Sequence, residues 1–179
     1  MLKWFIGKKL DQFERGYGYD LGYARDLMAA DLAALMAFQK ATSSLTQYRR
    51  DIPIDAHYAA KIVATMAEDC GPCTQLIVTM ALREGVAAET LRAIVEKDDA
   101  TLPEHVRLVV HFARAAITHD LAADDLRAAI TTRWGPRALA SIAFALCAGR
   151  LFPTMKYALG HGHACTRITV AGTPVTVPA

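Results

Sequence analysis

The chain has little of what strands are built from. Apolar and polar positions do not alternate anywhere before the last dozen of its 179 residues, which excludes a sheet-centred fold and leaves helix for nearly everything else. No basic run or aromatic–basic stripe stands out, and 20 basic residues nearly balance 18 acidic ones, so nothing marks a nucleic-acid partner. The longest apolar run, residues 138–149, falls short of a bilayer span and is followed by Arg150 and Lys156, so it reads as a core helix and a membrane partner is not expected. The start reaches Lys3, Lys8 and Lys9 before an apolar segment can accumulate; no secretory leader is read there, and a cytoplasmic location is expected. There is no internal repeat, no low-complexity segment and no nicotinamide or flavin fingerprint, so no cofactor is expected. Cysteine is scarce as well, with four residues in all, of which only two are close in sequence.

Those two are the chain's most informative feature. Cys70-Gly71-Pro72-Cys73 sits between two apolar, helix-period stretches, residues 59–67 and 76–82, the second stopped by Gly85. That spacing opens a helix at the pair, with Pro72 in the first turn, where its missing N–H costs nothing. Unpaired backbone N–H groups and the helix dipole there favour negative charge, so a thiol ionises more readily than free cysteine, whose pKa is about 8.5. Two thiols three residues apart can then interconvert between dithiol and disulfide. The same residues can also be read as a zinc half-site or as two buried cysteines. Zinc would need a second ligand pair, which only scattered His and Cys residues offer, and no metal is expected.

Around this motif the pattern is helical. Leu2, Phe5, Ile6, Leu10 and Phe13 share one face of an N-terminal helix that Gly16-Tyr17-Gly18 breaks. Such a helix can lie in a membrane interface or pack as an arm on its own subunit or a neighbour; Asp11 and Glu14 favour packing. Asp20 and Asp31 are candidate caps for the next two helices, and Asp51-Ile52-Pro53 marks the main internal boundary. Thr101 with Glu104 three residues on reads as a capping box, and Pro153 should kink the last helix. Ile168, Val170, Val175 and Val177 alternate about residues 171–174, as in a small hairpin or an extended arm. The expected organisation is all-α: a helical extension over 1–50, a helical domain over 51–160 and an extended tail over 161–179.

From about residue 54 to 160 this order resembles the carboxymuconolactone decarboxylase and alkyl hydroperoxidase D-like family. The likeness is carried by the helix before the cysteines, the CxxC that opens a helix, the connection Ala81-Leu82-Arg83-Glu84-Gly85-Val86-Ala87-Ala88-Glu89-Thr90-Leu91, and the later helices with Phe144, Arg150 and Lys156. Cys-Gly-Pro-Cys is also the thioredoxin tetrad, but thioredoxin places it after a strand, and no strand precedes it here. The resemblance implies a helical-bundle protomer assembled as a trimer or hexamer. It also implies that Cys73 attacks a peroxide and that Cys70 resolves the sulfenic acid into a disulfide. A thiolate at a helix N-terminus can attack a disulfide substrate as well, and without a nicotinamide or flavin fingerprint turnover needs an external thiol reductant. The family's relay histidine falls at Ile77 and its glutamate at or near Tyr58, beside His57, so the cysteines carry over and the proton relay does not.

Replacement bases are few. Glu68, next to Asp69, stands ahead of the cysteines; its charge would raise a neighbouring thiol's pKa unless protonated or turned away, and the pair also reads as structural helix-end acids. His57 lies on the preceding helix, as a candidate catalytic histidine or an ordinary satisfied one. His105, His111 and His119 read as solvated, and Cys147 reads as a small core residue. His161-Gly162-His163-Ala164-Cys165 can hold a metal, fold back over the cysteines to supply the missing histidine, or be a plain Gly-rich exit from the last helix. Cys70, Cys73, His57 and Glu68 are thus the candidate catalytic residues. Two functions fit: a thiol–disulfide oxidoreductase or weak alkyl hydroperoxidase, or a non-catalytic helical oligomer that binds a small molecule or partner, with the CxxC as a redox-sensitive latch.

Overall fold

A computed structural model of the chain describes residues 2–163 and 167–178. Among them run nine helices and one two-stranded hairpin: α1 (Leu2–Tyr17), α2 (Gly22–Ala30), α3 (Leu32–Gln47), α4 (Ile54–Ala67), α5 (Gly71–Arg83), α6 (Ala88–Glu96), α7 (Glu104–Thr118), α8 (Ala123–Trp134), α9 (Pro136–Ala158), β1 (Arg167–Val170) and β2 (Thr173–Thr176). The fold is all-α, as the missing alternation requires.

α4 is the axis of the molecule. Every residue from Ala56 to Thr65 is buried, because α5, α6, α7 and α9 all pack around it. A helix enclosed on all sides must be apolar or small all round, and Ala56, Ala59, Ala60 and Ala64 meet that need. Its closest neighbour is α9, where Gly149 lets the two backbones approach: a Cβ there would stand 2.5 Å from Ala64 Cβ and 3.0 Å from the Lys61 carbonyl oxygen. Neither contact is a flexible side-chain end, so Gly149→Ala is expected to cost about 2 kcal/mol of stability through overpacking. A urea unfolding midpoint unchanged from wild type would contradict that close approach.

Helix α9 runs 23 residues, well past the apolar stretch, and by length and composition it is long enough to cross a membrane. Its buried face is Ala138, Ser141, Ile142, Ala145, Ala148 and Gly149. Phe144 and Cys147 point the other way and are exposed, which corrects the reading of Cys147 as a core residue. An apolar run around the whole helix cannot say which side is covered. The capping box at Thr101 is also corrected. Pro103 is the residue that precedes α7, and the Thr101 hydroxyl donates instead to the Asp98 carbonyl and carboxylate, at 3.2 and 3.0 Å. Asp31 does cap α3, accepting from the Ala33 N–H at 2.9 Å.

The tail forms a hairpin. Ala171 and Gly172 both have positive φ, 49° and 81°, as a two-residue turn of primed type requires. Ile168, Val170 and Val175 face the core beside α5 and α6. The Gln75 side chain adds a rung to β1: its amide donates to the Thr169 carbonyl at 3.0 Å and its oxygen accepts from the Thr169 N–H at 2.6 Å. The N-terminal helices pack on the same chain: Ile6, Leu10, Phe13, Tyr19, Tyr23 and Phe38 form a cluster with Leu76 of α5 and Phe152 and Met155 of α9.

Candidate functional site

α4 and α5 form an antiparallel hairpin whose turn holds Asp69 in the left-handed region, at φ 48°, a conformation that aspartate tolerates better than most residues. α5 then begins at Gly71, with Cys70 as its N-cap residue and Cys73 in the first turn. The two sulfurs lie at disulfide distance, with Cα atoms 5.3 Å apart. Cys70 is fully buried and Cys73 nearly so, at 3% exposure. Their difference lies in what they face. Cys73 lines a cavity of about 630 Å³, and Cys70 does not.

Helical spacing builds that cavity. On α4, Ile54, His57, Tyr58, Lys61 and Thr65 fall on one stripe; on α5, so do Cys73, Leu76, Ile77 and Met80, continued by Glu84 at the helix's C-cap. The two stripes face each other. Thr74 donates to the Thr65 hydroxyl at 3.1 Å near the cysteine end, and Tyr58 donates to Glu84 Oε1 at 2.6 Å at the far end. Phe13, Tyr19, Leu21 and Tyr23 from the N-terminal segment, and Phe152 from α9, complete an aromatic and aliphatic wall. Gln39, Gln47, Arg49 and Glu84 are exposed and mark where the cavity meets solvent.

The sequence candidates divide. His57 belongs to the cavity. It is 2% exposed, and its Nδ1 is buried with no hydrogen-bond partner among the described residues. Burial first, then the Lys61 and Arg49 charges, push its pKa down to about 3, so it is a neutral imidazole at any ordinary pH. Glu68 does not line the cavity; its carboxylate accepts from Arg150 Nε at 2.5 Å, an ion pair that ties it to α9. Ile77 and Tyr58 both face the cavity, at the positions where the resembling family has histidine and glutamate. His161 turns away to Asp26, at 2.7 Å. The segment nonetheless touches the cysteine loop, since the His163 carbonyl accepts from the Gly71 N–H at 3.1 Å. Cys165 lies outside the described residues, among which no group of three metal-ligating side chains converges. His111 and His119 are exposed, whereas His105 is half-buried and paired with Asp55 at 2.7 Å.

The residue that sequence reasoning missed is Tyr19. Its hydroxyl lies 3.7 Å from Cys73 Sγ, 54 positions away in the chain. Burial, the neighbouring Tyr23 hydroxyl and the Asp20 carboxylate all raise its pKa, so it keeps its proton. Tyr23 is pushed up to about 12, mainly by burial. The Lys156 ammonium, 1% exposed, stands 4.6 Å from the centre of the Tyr19 ring and 5.8 Å from that of Tyr23, a cation–π arrangement in a dry setting. Burial lowers the Lys156 pKa and Asp20 opposes that shift. The signal in the sequence was there: three of the six tyrosines fall at 17, 19 and 23, in a glycine-broken segment.

A pH dependence follows from His57. An unfolded histidine titrates near 6.5 and the folded one near 3, so between these values the unfolded chain binds the extra proton. Stability therefore falls as pH drops through that window, by up to about 1.4 kcal/mol per pH unit. His57→Gln is expected to flatten the slope of urea midpoint against pH between 6.5 and 4; an unchanged slope would contradict the buried neutral imidazole. The chain matches no family model, no curated protein and no solved structure.

Proposed function

We propose that this protein is a thiol–disulfide oxidoreductase acting on organic disulfides or hydroperoxides. The observation that carries the reading is that Cys73 alone of the pair opens into the cavity, at a helix N-terminus and against a protonated hydroxyl. In the reduced state the Cys73 thiolate is the group a substrate can reach, and the first-turn N–H groups of α5 stabilise its charge. With a hydroperoxide, the sulfur attacks one oxygen, the O–O bond breaks, and the alkoxide leaves as an alcohol on taking the Tyr19 proton, which Tyr19 then regains from solvent; Cys73 becomes a sulfenic acid. Cys70 then attacks that sulfur, forming the disulfide and releasing water. With a disulfide, Cys73 displaces one thiolate, and Cys70 displaces the other from the mixed disulfide. Either way two electrons pass from the cysteine pair to the substrate, and an external dithiol returns them.

Tyr19 supplies what Ile77 cannot, so the missing relay histidine has a substitute from outside the region of family resemblance. The resemblance supports the roles of the two cysteines and an oligomeric state; exposed Phe144 and Cys147 on α9, and Leu2, Trp4 and Phe5 on α1, are apolar surface an assembly would cover. The test is stoichiometry. Reduced protein mixed with cumene hydroperoxide or cystine should lose two thiols per substrate consumed, with no other protein present. No thiol loss with either substrate would overturn the reading and leave the second account, a cavity that binds a small molecule beside an idle disulfide.

A further inference from the structure

The polar groups of the cavity are not spread evenly. Cys73, Thr65 and Tyr19 mark its inner end. Lys61 stands one helical turn from Thr65 along α4, about 6 Å, and His57 one turn further, about 12 Å. Leu76, Ile77, Met80 and Phe152 supply apolar wall to the same cavity. At the outer level Lys61, Arg49, His57, Tyr58 and Glu84 come together.

That outer group carries a surplus of positive charge: two cations, Lys61 and Arg49, against one carboxylate, Glu84, with His57 neutral. Glu84 is already engaged, accepting from Tyr58 at 2.6 Å. Lys61 is 8% exposed and donates to the Thr46 carbonyl at 3.2 Å, with the Tyr58 ring centre 5.2 Å from its ammonium. Burial lowers its pKa, the Glu84 carboxylate opposes that shift and Arg49 adds to it, so one carboxylate serves two cations. His57 Nδ1, buried on the same stripe, has no hydrogen-bond partner among the described residues. A buried polar atom left without a partner is costly and calls for one.

We infer that this cavity selects amphiphilic anions: a molecule with a single carboxylate head, held by Lys61 and Arg49 beside His57 Nδ1, and a medium-length apolar body reaching towards Cys73. The inference rests on the redox reading for what the body carries, a disulfide or hydroperoxide, but not for the binding itself. The rise of about 6–12 Å along α4 from Thr65, at the cysteine end, to Lys61 and His57 sets the length. Arg49 at the exposed mouth gives the head a place at the solvent edge, and the apolar wall desolvates the reacting end.

The test uses the full chain, as wild type and as Cys73→Ser, loaded with the neutral fluorophore N-phenyl-1-naphthylamine and titrated with decanoate or 1-decanol. Decanoate should displace the probe at concentrations about 10-fold lower than 1-decanol in both proteins. Lys61→Gln and, at the exposed mouth, Arg49→Gln should each cut that preference several-fold while 1-decanol binding stays within about 2-fold. Equal displacement by the two ligands, a preference unchanged in Arg49→Gln, or no uptake of the probe would overturn the inference. Because binding is read without the thiol, failure here with Cys73 still reactive sinks only the anion preference. A preserved preference in a protein whose thiols consume no substrate sinks only the redox reading.

Discussion

Cys73→Ser should abolish turnover of both hydroperoxides and disulfides, and Cys70→Ser should stop it one step later. The two variants differ because only Cys73 reaches the cavity; Cys70 lies behind it as the fully buried N-cap residue of α5. In Cys70→Ser the first displacement still happens, since nothing it needs has been removed. The mixed disulfide on Cys73 then has no internal thiol to release it and accumulates. Peptide mass mapping after cystine treatment should show a cysteine added at Cys73 in Cys70→Ser and none at Cys70 in Cys73→Ser, apart from labelling of the exposed Cys147 in both. The reverse pattern would assign the attack to Cys70 and would disconnect the cavity from the chemistry. A loss of at least about 10³-fold in turnover is expected for either variant, since the reacting atom itself is removed.

Tyr19→Phe carries the second large effect, and its size should depend on the leaving group. A peroxide releases an alkoxide, a strong base that must be protonated as the O–O bond breaks; a positioned acid for such a step is worth roughly 10²-fold or more. An aromatic disulfide releases a thiolate that is stable without a proton. Removing the Tyr19 hydroxyl should therefore slow reaction with cumene hydroperoxide about 100-fold and leave that with an aromatic disulfide within about 3-fold. The ring that packs beside Lys156 and Phe13 is kept in this variant, so packing and cation–π contacts persist. Equal losses with the two substrates would mean that Tyr19 shapes the site without giving up its proton.

How much of this was legible from the sequence follows from which interactions are local. The helix opening at Gly71 was readable because Cys70, Pro72 and the following apolar period all lie within a few residues, and Asp31 was readable as a cap for the same reason. The pairing of Tyr58 with Glu84 was not, since it exists only once α4 and α5 fold back on each other. Tyr19 was hidden further, because its approach to Cys73 depends on the N-terminal helices closing over the hairpin. The ion pair of Glu68 with Arg150, 82 residues on, was equally hidden, because it too forms only between elements far apart in sequence. Cys147 and Thr101 went astray because an apolar run or a cap signature has no direction until a partner helix, or a competing turn such as the one at Asp98, supplies it.

The alkylation rate of the reduced protein against pH tests the central claim most directly, measured with iodoacetamide on wild type, Cys70→Ser and Cys73→Ser. An activated Cys73 requires one thiol that titrates well below about 8.5, present in wild type and Cys70→Ser and missing from Cys73→Ser. If both cysteines react only near or above that value, or if the low-pKa thiol survives in Cys73→Ser, the cavity-facing sulfur is not the nucleophile and the account fails.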